Sequence, residues 1–306
     1  MTEDPERAHA RSRNRLLALI FGVAAASLAY RLATATGLEH TALVFVGVPT
    51  LLAVAVAFTP RMGTARGTIF RATTLALLIA GIAFGEAFVC ILFAAPLIYL
   101  VAGGIGTYVD WSAKKRREGR AGFAHAPVLV LLVAAIPAME GVVPRLEFPR
   151  DAEVTRTRIV PASPAEVERA LAAPMRFDRP LPAFLKLGFP TPGETGGSGL
   201  RVGDRRTVEF AHGHHPGTLA MEVRAAAPGR VVFAPVADGS YLTHWLSWRS
   251  AEVRWRAVPG GTEVRWTLRW RRRLDPAWYF APLERHGVGV AAGYLIDALA
   301  TPRAGE

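Results

Sequence analysis

The sequence predicts an α+β protein in two parts: a five-helix transmembrane region over residues 1–144, then an antiparallel sheet wrapped around a long C-terminal helix over residues 151–301. Three observations carry the prediction. Apolar runs close to the ~20 residues that cross a bilayer recur up to about residue 144. Alternation of apolar and polar residues with period two dominates residues 206–271. Asp275–Ala300 repeats its apolar residues at three-to-four spacing, as one amphipathic helix does.

Charge bounds the function. The 306 residues hold 36 Lys+Arg and 25 Asp+Glu, for a net charge of +11. Residues 1–144 carry 13 basic against 8 acidic side chains, and residues 145–306 carry 23 against 17. The N-terminal excess is confined to short flanks of the apolar runs, which is the demand of membrane topology rather than of nucleic acid. The single cysteine, Cys90, lies in an apolar run, so an intramolecular disulfide is excluded.

Five spans are expected, at residues 16–34, 41–59, 69–84, 87–109 and 126–143. Arg61, Arg66 and Arg71 precede the third, and Lys114, Lys115, Arg116, Arg117 and Arg120 follow the fourth. Both flanks read as cytoplasmic, so the chain crosses twice between them, turning at Gly85–Glu86. Arg7, Arg11, Arg13 and Arg15 place the N-terminus cytoplasmic as well. The count puts everything after Val143 on the extracytoplasmic side of the plasma membrane, with the bilayer as a partner. A cleaved signal peptide ending at Ala33-Thr34-Ala35 is the competing reading of the first segment, and Arg31 opposes it. Glu86, Glu140 and Arg31 sit at outer span ends, where snorkelling satisfies them. The absence of a ladder of intramembrane acids and of an inverted repeat argues against a transporter.

After a linker over residues 144–150, Glu153–Val160 alternates as a strand. Ser163-Pro164-Ala165-Glu166 forms a capping box with proline at the first helical position, opening a helix to about Ala173. Residues 174–200 are rich in Pro and Gly; a short helix is expected at Leu181–Leu187 and a mobile glycine loop at 193–199. Strands follow through Arg206–Phe210, Leu219–Ala225, Val231–Val236, Tyr241–Arg249, Val253–Ala257 and Val264–Trp270, with turns at Ala226–Arg230 and Pro259-Gly260-Gly261. One face is apolar and tryptophan-rich, the other Arg/Glu. In the last helix Asp275 is the expected N-cap and Pro276 the first helical residue. Its stripe is Phe280, Leu283, Gly287, Val290, Tyr294 and Ala298. Gly287, Gly289 and Gly293 each cost about 1 kcal/mol in a helix, which argues for a thin face against which something lies closely, a ligand-cavity wall.

The strand Val154–Val160 running into Pro161-Ala162-Ser163-Pro164-Ala165-Glu166-Val167, followed by antiparallel strands and a long final helix, resembles the START-like (SRPBCC) superfamily. That superfamily includes pollen-allergen proteins, lipid-transfer START domains and polyketide cyclases. The resemblance covers residues ~150–300 and implies a helix-grip fold, with an apolar cavity between sheet and last helix. Fold does not settle function, since the superfamily holds binders and enzymes.

Candidate cavity residues are Phe210, Met221, Phe233, Trp245, Trp248, Trp255, Trp266, Trp270, Tyr279, Leu283, Gly287, Val290 and Tyr294. Seven tryptophans in the chain, with these other aromatics, exceed what a small core needs. His212, His214 and His215 could hold a metal or act as a base, but Pro216-Gly217 follows and no acid or cysteine stands at ligand spacing, so a solvated hairpin tip is the favoured reading. No metal or cofactor is expected. Arg271, Arg272 and Arg273 are either a solvated turn or a contact with anionic headgroups. Glu284, Arg285 and His286 face different ways and make no triad. Phosphate loops, dinucleotide fingerprints and nucleophile elbows are absent.

The expectation is therefore an integral membrane protein whose extracytoplasmic domain binds a hydrophobic ligand, a lipid or polyketide-like molecule, rather than turning one over. One alternative is a polyketide cyclase or aromatase using His212, His244 or Tyr294. A second is a structural or envelope-sensing protein with its interior filled by tryptophan.

Overall fold

The structure, a computed structural model, describes residues 14–26, 48–58, 63–83, 88–118, 140, 148–187, 189–211 and 217–302. The chain divides into two units, residues 1–136 and 137–306.

The first unit is helical where described. Its elements are α1 (Asn14–Ala26), α2 (Val48–Phe58), α3 (Ala65–Ala83) and α4 (Phe88–Arg117). Ile20, Ala53, Ala57 and Ile82 form its buried cluster. α3 and α4 make an antiparallel hairpin, fixed along its length by specific contacts. Asp110 caps the start of α3, accepting the Ala65 and Arg66 amides at 2.6 and 3.0 Å. A carboxylate there satisfies orphan donors and the positive end of the helix dipole. Thr74 and Tyr99 share a hydroxyl hydrogen bond at 2.7 Å, and Tyr99 stacks on Phe70. At Gly106 the backbones come so close that a Cβ would lie 2.6 Å from Arg66 Cα, the small-residue contact typical of helices packed without a hydrophobic drive.

Two helices are long and apolar enough to cross a membrane, α3 and the 91–117 stretch of α4; α1 and α2 are shorter as described. Among the described residues there are thus two such helices, not five. The expected fifth span lies outside the described residues except for Glu140, and that residue is buried in the second unit. Its carboxylate belongs to a protein interior, not to a span end.

The second unit is one seven-stranded antiparallel sheet and two helices. The strands are β1 (Asp151–Val160), β2 (Thr191–Gly196), β3 (Arg205–Ala211), β4 (Gly217–Ala227), β5 (Arg230–Asp238), β6 (Leu246–Val258) and β7 (Gly261–Arg272), in the order β1-β7-β6-β5-β4-β3-β2. The first strand closes against the last, and the sheet curls around α6 (Ala277–Leu295), which packs on β1 and β7. α5 (Pro164–Ala172) carries the full capping box: Ser163 N donates to Glu166 Oε2 at 2.7 Å and Glu166 N to Ser163 Oγ at 3.4 Å. This curled sheet gripping a C-terminal helix is a helix-grip arrangement, α+β in class.

The sheet is one-sided, as its alternation requires. Val253, Trp255, Val264, Trp266, Leu268 and Trp270 are buried on the inner face. On the outer face Glu252 accepts from Arg230, Arg254 and Arg269 at 2.7, 2.7 and 3.2 Å. Burial alone would raise that carboxyl, but the three arginine hydrogen bonds override it and hold it at about 2. Pro259-Gly260 turns β6 into β7 with Gly260 at φ +88°, a conformation that suits glycine.

Three local expectations change. Thr191–Gly196 is an edge strand paired with β3 rather than a loop. Residues 183–187 are a turn, not a helix. Tyr241–His244 is a 3-10 turn, and β6 begins only at Leu246. Ser240, whose hydroxyl and amide both bond Asp238 at 2.7 and 3.0 Å, starts that turn and breaks the strand.

Candidate functional site

The inner face carries tryptophans along its length. Trp248 on β6 lies directly opposite Trp270 on β7, and Trp266 stands four residues before Trp270 on the same face, with Leu268 between them. Cross-strand partners on one face stand roughly 5 Å apart, so Trp248 and Trp270 are neighbours, and Leu268 continues the apolar layer to Trp266. A register shift between Trp248 and Ser250 is what brings Trp248 onto this face.

α6 faces that layer with Glu284, Val288 and Ala292, which share one side of the helix at a spacing of four. Trp270 Nε1 donates to Glu284 Oε2 at 3.0 Å. The other carboxyl oxygen, Oε1, is buried without a partner among the described residues, and so are the indole nitrogens of Trp248 and Trp266. Burial raises the Glu284 carboxyl to about 7, against the opposing pull of the Trp270 hydrogen bond, the Arg272 charge and the Leu274 amide; Asp275 pushes the same way as burial. An acid of this kind holds its proton near neutral pH.

Below the layer lies a buried ionic knot. Arg272, 2% exposed, donates to Glu140 Oε1 at 2.7 Å, to Asp275 Oδ1 at 2.6 Å, and to the Leu274 carbonyl. Arg150 reaches Asp275 at 3.1 Å. Glu140 Oε2 also accepts the Ala277 amide at 2.6 Å. The helix therefore begins at Ala277 with its cap supplied by Glu140, while Asp275, the expected N-cap, is engaged by the two arginines.

The glycines of α6 do admit close neighbours, and these are the protein's own side chains. A Cβ at 289 would overlap the Arg156 guanidinium, one at 293 would meet Arg158 at 3.6 Å, and one at 287 would meet Phe184 at 3.2 Å. Phe184 also packs edge-on to His286 and against Phe189, which meets Trp245, which meets Tyr241. This aromatic series joins the turn at 183–187, the helix and the 3-10 turn.

The expected cavity residues distribute as follows. Phe210, Met221, Phe233, Trp248, Trp255, Trp266 and Trp270 are in or against the sheet–helix core. Trp245 sits in the aromatic series rather than on a strand. Tyr279, Leu283, Gly287 and Val290 are half-buried, because the face turned to the sheet centres on Val288, Gly289, Ala292 and Gly293. Tyr294 is buried, stacked on Phe177, and donates its hydroxyl to the Arg179 carbonyl at 2.9 Å. A small cleft with room for about one water molecule lies elsewhere, beside Ala170, Pro174, Leu299 and Pro302. One tryptophan of the seven, Trp111, belongs to α4.

Of the three arginines, Arg271 and Arg273 are exposed and Arg272 points inward, so Arg272 is unavailable to headgroups. His244 is exposed and stacked on Tyr241. His212, His214 and His215 lie outside the described residues. No cluster of metal-ligating side chains occurs among the described residues. The buried settings of Glu284 and Glu140 are what the sequence reading missed. Glu284 was findable: it stands four and eight residues before Val288 and Ala292, on the buried stripe.

No family model and no curated protein matches the chain. Solved structures resemble about half of the chain. A protein of Chromobacterium violaceum is 15% identical, covering 48% of this chain and 94% of its own, with a TM-score of 0.35. The protein Ara h 8.0201 is 13% identical over 48% and 99%, with a TM-score of 0.30. A norcoclaurine synthase point mutant of Thalictrum, held with a transition-state analogue, is 14% identical over 49% and 92%, with a TM-score of 0.33. Likenesses this slight carry no weight; the helix-grip description rests on the sheet order and the α6 contacts.

Proposed function

We propose that the second unit binds an apolar ligand, a lipid or polyketide-like molecule, between its tryptophan layer and α6, and that the apolar helices hold it at a membrane. One observation carries the reading: Trp248 and Trp266 bury their indole nitrogens without partners. A tryptophan buried only for packing ordinarily satisfies its N–H, so these two suit a surface built to meet something else. Native mass spectrometry and lipid extraction of the full-length, detergent-purified protein test the proposal. A stoichiometric apolar compound supports it. A protein that arrives empty and takes up no apolar fluorophore counts against it.

The membrane half of the proposal draws on the α3–α4 hairpin, whose contacts set Arg66 and Arg71 at the same end as Lys114–Arg117. The positive-inside tendency makes that end cytoplasmic. A further crossing between that end and the domain makes the domain extracytoplasmic. A second placement, on the cytoplasmic side, is favoured by Glu140: with that residue in the domain, the apolar run before it is cut to residues 126–139, fewer than the ~20 that cross a bilayer.

A further inference from the structure

Resting on the membrane half of that proposal, we infer that one pole of the second unit is a membrane-docking surface, with Trp278 and Phe148 in the bilayer interface and Arg271 and Arg273 against anionic headgroups. The sheet fixes which residues share this pole. β1 begins where β7 ends, at the Asp151–Arg271 pair, and β6 begins opposite Arg272. The β6–β7 turn marks the opposite pole; β7 is 12 residues long, so the two ends stand ~36 Å apart. Trp278 follows Ala277, whose amide donates to Glu140 Oε2 at 2.6 Å. Phe148 stands two residues before Arg150, whose carbonyl accepts the Arg272 amide at 2.7 Å.

Exposure singles out these two rings. Phe148 and Trp278 are 58% and 51% exposed, whereas the other described Phe and Trp side chains of this unit are buried or half-buried. Aromatic rings concentrate where hydrocarbon meets headgroups. Arg271 and Arg273 are exposed beside them and make no ion pair among the described residues; Arg273 rests on the Thr243 carbonyl at 3.0 Å. The nearby acids are engaged: Asp275 by Arg150 and Arg272, and Asp151 with Arg249 at 4.0 Å. Two guanidinium groups at an aromatic rim complement an anionic lipid surface. The chain itself argues for lipid as the partner. Residues 126–139 contain no charged side chain, and the next residue, Glu140, is the one bonded at this pole. The apolar run therefore ends here whichever side of the membrane the domain occupies.

The test uses the full-length protein in a Cys90→Ala background, reconstituted into phosphatidylcholine vesicles containing a minority of phosphatidylglycerol. An environment-sensitive thiol dye is placed at Trp278→Cys, at Phe148→Cys, or at Pro259→Cys in the far turn, and quenched by a lipid spin-labelled on its headgroup. Quenching is expected to be several-fold stronger at 278 and 148 than at 259. It is expected to fall when phosphatidylglycerol is omitted, and equally in the Arg271→Gln/Arg273→Gln double variant. Equal quenching at all three positions overturns the docking surface. Strong quenching at 278 and 148 that ignores both phosphatidylglycerol and the arginines overturns the headgroup contact. A protein that does not float with the vesicles in a density gradient overturns the membrane reading on which the inference rests.

Discussion

Arg272 and Glu140, 132 residues apart in sequence, meet at 2.7 Å with 2% and 3% of their side chains exposed. The pair locks the chain that enters the domain onto the strand that precedes its last helix. Removing one partner of such a buried pair strands the other charge, at a cost of about 3–5 kcal/mol. Glu140→Ala also uncaps Ala277. The variant is expected to lose that much in denaturant unfolding of the full-length protein, and Glu140→Gln somewhat less, because it keeps one acceptor. An unchanged midpoint for Glu140→Ala would dismiss the knot as a stabilising element.

The outer-face acid Glu252 predicts an acid limit. Its folded value, about 2, lies below the ordinary 4.5. The group therefore contributes stability fully above pH 4.5 and loses it as pH falls towards 2, a contribution of up to about 3 kcal/mol. Glu252→Gln should be less stable than the parent at pH 7 and approach it by pH 2 to 3. Melting temperatures across that range give the comparison.

Glu284 predicts the opposite slope. Its value is raised from 4.5 to about 7, so the fold is favoured where the acid is protonated and loses stability as pH rises from 4.5 through 7. Glu284→Gln removes the penalty. It should exceed the parent by about 1–3 kcal/mol at pH 8 and match it near pH 4.5. Parallel curves for the two proteins would refute the raised value.

Two glycines should answer oppositely to alanine. A Cβ at Gly106 would meet backbone, Arg66 Cα at 2.6 Å, and must push α3 and α4 apart; a loss of about 1–3 kcal/mol is expected. At Gly289 the obstacle is the far end of the exposed Arg156 side chain, which can swing away. There the gain in helix propensity, about 1 kcal/mol, should prevail. Scanning fluorimetry of both variants in detergent decides the signs.

Sidedness is open to direct chemistry. In a Cys90→Ala background, Ser198→Cys places a thiol in the loop after β2. Labelling of intact cells by an impermeant maleimide would place the domain outside the cytoplasm, and labelling only after permeabilisation would place it within.

The sequence made the sheet's one-sidedness, the capping box and the final helix plain, because each depends on neighbours a few residues apart. Arg272 could be read as inward on the same ground: it continues the even-numbered series Val264, Trp266, Leu268 and Trp270, and a basic triplet disguised it. The strand expected over Tyr241–Arg249 does not form as one piece, because a 3-10 turn precedes β6 and a register shift follows Trp248; neither alters the apolar pattern. Gly287, Gly289 and Gly293 correctly announced close approach to α6, but Phe184, Arg156 and Arg158 fill the space, which only tertiary structure reveals. Glu140 was beyond reach of any local rule. Its partners lie more than 130 residues away, and an apolar run around it argued for lipid.

The shape of β2 bears on how the domain behaves in a crowd. This outermost strand is six residues long, lacks an amide at Pro192, shifts register before Thr195, and runs into Gly197 at φ +77°. A second sheet could not add to it in regular fashion. At the opposite margin α6 lies across β1. A sheet curled into a half-barrel has two raw edges, and the β2 edge is blunted here, so a large apolar interior is carried without offering that edge as a template for polymerisation.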